Sequence, residues 1–275
     1  MWLDELYHAL DPIAFSLGPV TVRWYGLGYL LGFVAAGIIM YRYARHWGID
    51  FSAEDSISVM CGISLGIIIG ARVGYVLFYG PFTYYLAHPL ETFAVWEGGM
   101  SFHGGLCGAI VGGVIACKQD GLSIATVSDL VACGAPVGIF FVRCANFVNG
   151  ELWGKECDLP WAVAFESGGG VFRHPSQLYE AVLEGLVLFC ILWALSRRVP
   201  ARPQGTFMGT FLLWYGICRI AVEFVRVPDA QLGYLFAFVT MGQVLSLPLV
   251  VAGCYLLYRA HRDQRPQQAR LAPAA

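Results

Sequence analysis

The chain has 275 residues, of which 57% are apolar and only 13% are charged, and its formal net charge is −2. Its mean hydropathy of +0.62 is typical of an all-α polytopic membrane protein and excludes an ordinary soluble domain. A net charge this close to zero argues against nucleic-acid binding, because polyanion binders need a concentrated basic face.

Seven stretches of the chain are apolar enough, over about 18 residues or more, to cross a bilayer as helices. In chain order these predicted spans are 24–41, 57–79, 100–117, 124–142, 176–196, 205–225 and 236–258. The connections between them are short, so we expect one transmembrane domain over residues 1–275. The segments 80–97 and 146–173 are expected to form small head segments on the outer face.

The basic residues between the predicted spans fall mostly on one side of the membrane. One side has ten of them, and the other has only Arg23, Lys155, Arg173 and Arg226. Cytoplasmic loops are enriched in Lys and Arg. The sequence therefore predicts an N-terminus outside the membrane and a C-terminus in the cytoplasm.

Polar residues that cost free energy to place in a bilayer lie near the outer ends of the predicted spans. They are Arg72, His103, Arg143, Asn146, Gln177, Glu180, Glu184, Arg219, Glu223 and Arg226. An ionisable side chain at the centre of a bilayer costs roughly 2.5 kcal/mol or more unless it faces a cavity or a partner. The last six form two stripes at helical spacing, each on one helix face. We expect a polar cavity that opens to the outer side.

Glycines recur every fourth residue along the second and third spans. They are Gly62, Gly66, Gly70 and Gly74 on one span and Gly104, Gly108 and Gly112 on the other. Small residues at this spacing let helices approach closely in lipid, so packing is the better interpretation for them. The glycines of EGGMSFHGG, residues 97–105, differ because they surround His103 at a span boundary. There, backbone amides are expected to approach a bound anion.

Each polar group also has a structural interpretation. Arg219 and Glu223 are four residues apart and could form an ion pair that satisfies only itself. His103 could be a hydrogen-bonded packing residue. Glu151 and Lys155 could be a solvated pair in an outer loop. Polar groups from several spans at one depth nevertheless favour a functional site.

The residue types in this site indicate phosphate chemistry. Arginines offer paired donors that match a phosphate, and a phospholipid head group lies at this depth. No His, Cys or Asp cluster has metal-ligand spacing, so we expect neither a metal nor another cofactor. The residues predict a reaction in which arginines stabilise a departing phosphate while a base such as His103 deprotonates a nucleophile.

Six motifs in order along nearly the whole chain resemble those of prolipoprotein diacylglyceryl transferases. They are WYGLGYLLGF from Trp24, GGMSFHGGL from Gly98, RCANFVNGELWG from Arg143, RHPSQLYE from Arg173, RIAVEFVRVPDAQ from Arg219 and MGQVLSLP from Met241. The resemblance implies transfer of an sn-1,2-diacylglyceryl group from phosphatidylglycerol to the lipobox cysteine of a preprolipoprotein. It also implies a multi-pass protein of the bacterial inner membrane, with its site toward the periplasmic face.

The resemblance also implies roles for individual residues. His103 is the candidate base, and Arg143 and Arg219 correspond to the pair on the phosphate side. The residues implied to bind or shape the substrate, beside Arg143, are Tyr25, Asn146, Glu151, Gly154, Glu223 and Arg226. The expected partners are phosphatidylglycerol, the lipobox segment and membrane lipids, with no nucleic acid.

Two other functions would also gather polar residues in a membrane. A transporter or channel for an anion would have arginines in its cavity, but it predicts polar groups near the midplane and often two related halves. Another phospholipid-handling enzyme or an intramembrane protease would need an aspartate cluster or a serine and histidine pair. The sequence shows neither pattern convincingly.

Overall fold

A computed structural model describes residues 1–18, 20–228, 234–235 and 239–270. The last residues of the RIAVEFVRVPDAQ motif, 229–231, lie outside the described part of the chain. Contacts divide the chain into two compact units. The first unit comprises residues 1–47 and 128–267, and the second unit comprises 48–127 and 268–275.

The described residues are mostly helical. The elements in chain order are α1 Trp2–His8, β1 Ile13–Leu17, β2 Val20–Arg23, α2 Trp24–His46, α3 Ala53–Phe78, α4 Phe82–Ala87, two 3₁₀ turns at Pro89–Phe93 and Val95–Glu97, α5 Phe102–Gln119, α6 Ile124–Val148, β3 Val163–Ala164, a 3₁₀ turn at Glu166–Gly168, β4 Phe172–Arg173, α7 Ser176–Glu180, a π-helical segment Ala181–Val187, α8 Leu188–Ser196, α9 Thr206–Glu223, β5 Tyr234–Leu235, β6 Val239–Thr240 and α10 Met241–Asp263. The strands form three separate antiparallel pairs, β1 with β2, β3 with β4 and β5 with β6.

A helix occupies each of the seven predicted spans. Five of these helices are long and apolar enough to cross a membrane: Trp24–His46, Ala53–Phe78, Ile124–Val148, Ser176–Ser196 and Met241–Asp263. The other two, α5 and α9, have 18 residues each. The expectation of a helical membrane protein is confirmed at this level.

Several helix ends differ from the sequence prediction: α2 continues five residues past the predicted span, to His46, and α3 begins four residues before it, at Ala53. Helix α6 continues to Val148, so Arg143 and Asn146 lie within its last two turns and not at its exit. The run of apolar residues ends at Val142, but the helix continues because its polar residues find partners inside the first unit. Helix α10 begins at Met241, where Thr240 and Gln243 form a reciprocal capping box. Residues 236–238, which the prediction included, lie outside the described residues.

The short N-terminal helix belongs to the core of the first unit. Leu3 is buried in one cluster with Phe147, Val163 and Phe165. The Asp4 carboxylate accepts a hydrogen bond from the Ala164 amide at 2.8 Å. Helix α1 therefore packs on the end of α6 and on the segment that follows it.

Close contact between α3 and α5 builds the second unit. A Cβ atom on Gly66 would lie 2.1 Å from the Gly108 carbonyl oxygen, and one on Gly108 would lie 1.9 Å from the Gly66 carbonyl oxygen. Real side chains do not tolerate such distances, so only glycine permits this approach. The packing interpretation of the glycine repeat is confirmed.

Candidate active site

A cluster of charged side chains lies within the first unit. Helix α6 contributes Arg143, the end of α7 contributes Glu180, and the π-helical segment contributes Glu184. Arg219 and Glu223 lie one turn apart on α9, and Arg226 follows that helix. The two polar stripes expected from the sequence therefore face each other.

Glu180 is the centre of this cluster. Its side chain is fully buried. Its Oε2 lies 3.0 Å from Nε of Arg143. Its Oε1 lies 2.5 Å from Nη1 of Arg219 and 3.2 Å from Nη1 of Arg226. One carboxylate thus contacts three guanidinium groups, one from α6 and two from the end of α9 and the residues after it.

Glu223 holds the other side of the arginines. Its Oε1 forms an ion pair with Nη2 of Arg219 and lies 3.9 Å from Nε of Arg226. Its Oε2 accepts a hydrogen bond from the Thr240 hydroxyl at 2.5 Å. The interpretation of Arg219 and Glu223 as a self-satisfying pair is wrong, because both side chains bind further partners.

Glu184 is less well compensated than the other two carboxylates. It is fully buried, and its closest ion-pair partner is Nη2 of Arg143 at 4.0 Å. Neither of its oxygens accepts a hydrogen bond from the described residues. The π-helical segment that contains Glu184 is of a kind frequent at functional sites.

The charges of the cluster balance. Three arginines, Arg143, Arg219 and Arg226, stand against three buried carboxylates, Glu180, Glu184 and Glu223. Burying this many charges is tolerable only because each has partners of opposite sign. A guanidinium group has several donors, so an arginine bonded to a carboxylate retains donors for a phosphate oxygen.

The segment after α6 folds back onto the cluster. Nδ2 of Asn146 donates to Oε1 of Glu151 at 2.7 Å, and Nε2 of Gln177 donates to the Glu151 carbonyl at 2.6 Å. Nζ of Lys155 donates to the Phe224 carbonyl at 2.8 Å. Glu151 and Lys155 are therefore held by separate partners, and the solvated-pair interpretation is wrong.

Gly154 lies where three stretches of backbone meet. Its amide donates to the His174 carbonyl at 2.8 Å, and the next amide, that of Lys155, donates to the Val225 carbonyl at 2.7 Å. Gly154 also forms a β-bridge with Arg226. A Cβ atom here would lie 2.6 Å from the Val225 carbonyl oxygen. Only glycine fits between these backbone segments, so Gly154 fixes the backbone that leads to Arg226.

Two tyrosines also belong to the first unit. The Tyr25 hydroxyl lies 3.3 Å from the Tyr29 hydroxyl at the start of α2. Tyr215 lies one turn before Arg219 on α9, and its side chain interacts electrostatically with the Arg143 guanidinium. The sequence interpretation included Tyr25 but missed Tyr215, although its spacing of four residues from Arg219 was a usable signal.

His103 and Arg72 belong to the second unit. His103 is exposed in the first turn of α5, beside the Phe102 ring. The buried Arg72 side chain donates to the carbonyls of four residues between α4 and α5. They are Glu91 at 2.6 Å, Thr92 at 2.8 Å, Gly98 at 2.7 Å and Gly99 at 3.2 Å.

These contacts change the interpretation of two features of the second unit. Arg72 donates its hydrogen bonds to carbonyl groups of the segment between α4 and α5 and thereby holds that segment in place. Gly98 and Gly99 were expected to turn their amides toward an anion, but it is their carbonyls that are engaged, by Arg72.

His174 is a titratable group outside the helices of the first unit. Its Nδ1 lies 3.2 Å from the Tyr179 hydroxyl. Burial and the nearby Lys155 ammonium lower its pKa, because both disfavour the charged imidazolium.

Among the described residues, no group of three or more His, Cys, Asp or Glu side chains could hold a metal ion.

Comparisons with known proteins cover nearly the whole chain. Residues 12–259 match the family model described as prolipoprotein diacylglyceryl transferase. The chain is 51% identical over 244 residues to the phosphatidylglycerol–prolipoprotein diacylglyceryl transferase of Geobacter sulfurreducens, which covers 89% of this chain and 93% of that protein. It is 49% identical over 258 residues to the protein of the same name from Rhodospirillum centenum, covering 92% and 93% respectively.

Proposed function

The chain belongs to the prolipoprotein diacylglyceryl transferase family, and on that premise we propose that it transfers a diacylglyceryl group from phosphatidylglycerol to a prolipoprotein. The acceptor is the lipobox cysteine thiol, a thioether forms, and glycerol phosphate is released. We place the reaction at the arginine cluster because three guanidinium groups converge within 3.2 Å of one buried carboxylate. Such a cluster is suited to an anionic phosphate ester.

The reaction needs an activated thiol and a stabilised leaving group. Only a small fraction of a free thiol is ionised near neutral pH, so a base accelerates the attack. We assign the base to His103, which takes the thiol proton. The sulfur then attacks the glyceryl carbon that bears the phosphate ester, and the carbon–oxygen bond breaks with its electrons on the phosphate oxygen. Arg143 and Arg219 stabilise the charge on the departing glycerol phosphate.

The remaining site residues shape the pocket for the lipid head group. Asn146 and Glu151 are hydrogen bonded to each other and fix the turn after α6. Glu223 and Arg226 extend the charged cluster, and Gly154 fixes the backbone beside Arg226. Tyr25 contributes a hydroxyl from the first span.

The proposed topology has seven spans in one domain, with the N-terminus outside and the C-terminus in the cytoplasm. Helices α5 and α9 have 18 residues each, and at about 1.5 Å per residue such a helix nearly spans a core of about 30 Å. The distribution of ten against four basic residues supports this orientation. The protein is then a multi-pass protein of the bacterial inner membrane whose site is near the periplasmic face.

Mass spectrometry of a synthetic lipobox peptide tests the proposal. The purified protein is incubated with phosphatidylglycerol and either the Cys peptide or a Ser peptide. A diacylglyceryl adduct is expected on Cys alone. Arg143→Ala should abolish it, and Arg143→Lys, which keeps the charge but loses the planar fork, should lower kcat/KM by about 10²-fold.

The same assay separates this reaction from other functions. If folded, lipid-supplied protein gives no adduct, the transferase assignment is rejected. An anion transporter would then be tested by phosphate flux into vesicles that contain the protein. His103→Gln should slow the transfer and leave lipid binding intact, and full activity of that variant would remove His103 from the proposed mechanism.

A further inference from the structure

Glu180 presents a problem for a site that must bind a phosphate. A carboxylate at the centre of three arginines repels an incoming anion and occupies some of the donors that the anion needs. Its side chain is fully buried, so solvent does not screen its charge. Glu180 must therefore contribute through its effect on the arginines and not through contact with the phosphate.

The contacts of Glu180 differ from those of its neighbours. Glu184 reaches Arg143 at 4.0 Å, and Glu223 contacts Arg219 and Arg226. Among the carboxylates that the structure describes, Glu180 alone contacts all three arginines. Without it, the like charges of Arg143 on α6 and of the two arginines at the end of α9 would repel one another, and the long side chains would sample several rotamers.

We propose that Glu180 is a positioning residue, whose carboxylate gathers Arg143, Arg219 and Arg226 into the arrangement that stabilises the departing phosphate. This inference rests on the proposed transferase function. Donors held in place before the reaction stabilise developing charge without reorganisation. The negative charge of Glu180 weakens ground-state binding of the phosphate, but it fixes the geometry on which the chemical step depends.

This role predicts a separation between kcat and KM. In Glu180→Gln the site loses one negative charge, so the cluster becomes net positive and attracts the lipid phosphate at least as well. The arginines lose their common ion-pair partner, and their donors are no longer aligned. We expect kcat to fall by about 10²-fold while the KM for phosphatidylglycerol stays the same or decreases.

Three further variants make the test specific. Glu180→Asp keeps the charge but shortens the side chain, so kcat should lie between those of the wild type and Glu180→Gln. Adding Arg226→Gln to Glu180→Gln should lower kcat by less than the product of the two single effects, because both act on one cluster. Asp55→Asn is the matched control, since Asp55 is another buried carboxylate that pairs with an arginine, Arg270, at 2.8 Å. Its specific activity should match that of the wild type.

The outcomes separate this inference from the proposed function. A wild-type protein that forms no adduct overturns both. An active wild type with unchanged kcat and KM in Glu180→Gln overturns only the role of Glu180. A lower yield of folded protein with normal specific activity also overturns it, because that is the behaviour of a purely structural residue. If Glu180→Gln does not fold, the kcat of Glu180→Asp tests the positioning role instead. A wild-type kcat in Glu180→Asp would then overturn that role.

Discussion

The substitution Gly154→Ala provides a sharp test of the site geometry. The added Cβ would lie 2.6 Å from the Val225 carbonyl oxygen and 2.6 Å from the Cβ of His174. Ordinary contacts begin at 3.4 Å, so the backbones must separate by 3.4 − 2.6 = 0.8 Å. The hydrogen bonds from Gly154 to His174 and from Lys155 to Val225 oppose this separation.

The displacement should reach the arginine cluster. Arg226 follows Val225 directly, bridges to Gly154, and contacts Glu180 at 3.2 Å. Overpacking of this kind costs about 1–3 kcal/mol of stability. A misplacement of about 1 Å in a catalytic site costs about 10²-fold in rate. We therefore expect Gly154→Ala to lower kcat/KM by about 10²-fold and to lower the melting temperature.

The assay is diacylglyceryl transfer to the lipobox peptide, measured on the folded fraction after size exclusion. Gly26→Ala is the matched control, because a Cβ on Gly26 meets no heavy atom within 4 Å. Its activity should be normal, and its helix slightly more stable, since alanine favours helix over glycine by about 1 kcal/mol. Wild-type kcat/KM in folded Gly154→Ala would refute the reasoning.

Three further predictions concern other parts of the chain. Arg72→Met removes the donor of four carbonyl hydrogen bonds, so limited proteolysis within residues 80–99 should increase at least tenfold, and an unchanged cleavage rate would contradict the organising role of Arg72. Gly108→Val places a side chain against the backbone of α3 and should reduce the yield of folded protein severely. By contrast, Gly113→Ala on the same helix, whose Cβ would meet only a flexible isoleucine side chain at 3.2 Å, should fold normally, and equal yields of the two variants would count against the close packing. Because the pKa of His174 is lowered in the folded protein, its contribution to stability is present above about pH 6.5 and decreases as the pH falls through the folded pKa. Thermal melts from pH 8 to pH 5 should show this decrease, and a His174→Gln variant with the same pH profile would show that another group is responsible.

The sequence was sufficient for the positions of the main helices. A bilayer-spanning helix must be apolar over about 20 residues, and this property can be read from a short window of the chain. Each of the seven predicted spans coincides with a helix in the structure, although the ends of α2, α3, α6 and α10 differ from the prediction. The glycine spacing along α3 and α5 was informative for the same reason, since a repeat of four residues marks one helix face.

The partners of the polar residues depended on the tertiary structure. Arg72 and Arg143 look alike in the sequence, since both are single arginines near the end of an apolar run. In the structure Arg72 donates hydrogen bonds to backbone carbonyls, whereas Arg143 contacts two buried carboxylates. Hydropathy does not distinguish them, because it reports the cost of burying a charge and not which group compensates it.

The sequence by itself thus determined the helical membrane class, the glycine repeat on α3 and α5, and the set of polar residues near the span ends. These follow from local composition and spacing, which the chain carries whatever its fold. Only the tertiary structure decided that Glu180 joins three arginines, that Tyr215 interacts with Arg143, and that Gly154 lies between two carbonyl groups. Each of these depends on distances of a few ångströms between residues that are far apart in the chain, and electrostatic and steric energies change steeply over such distances.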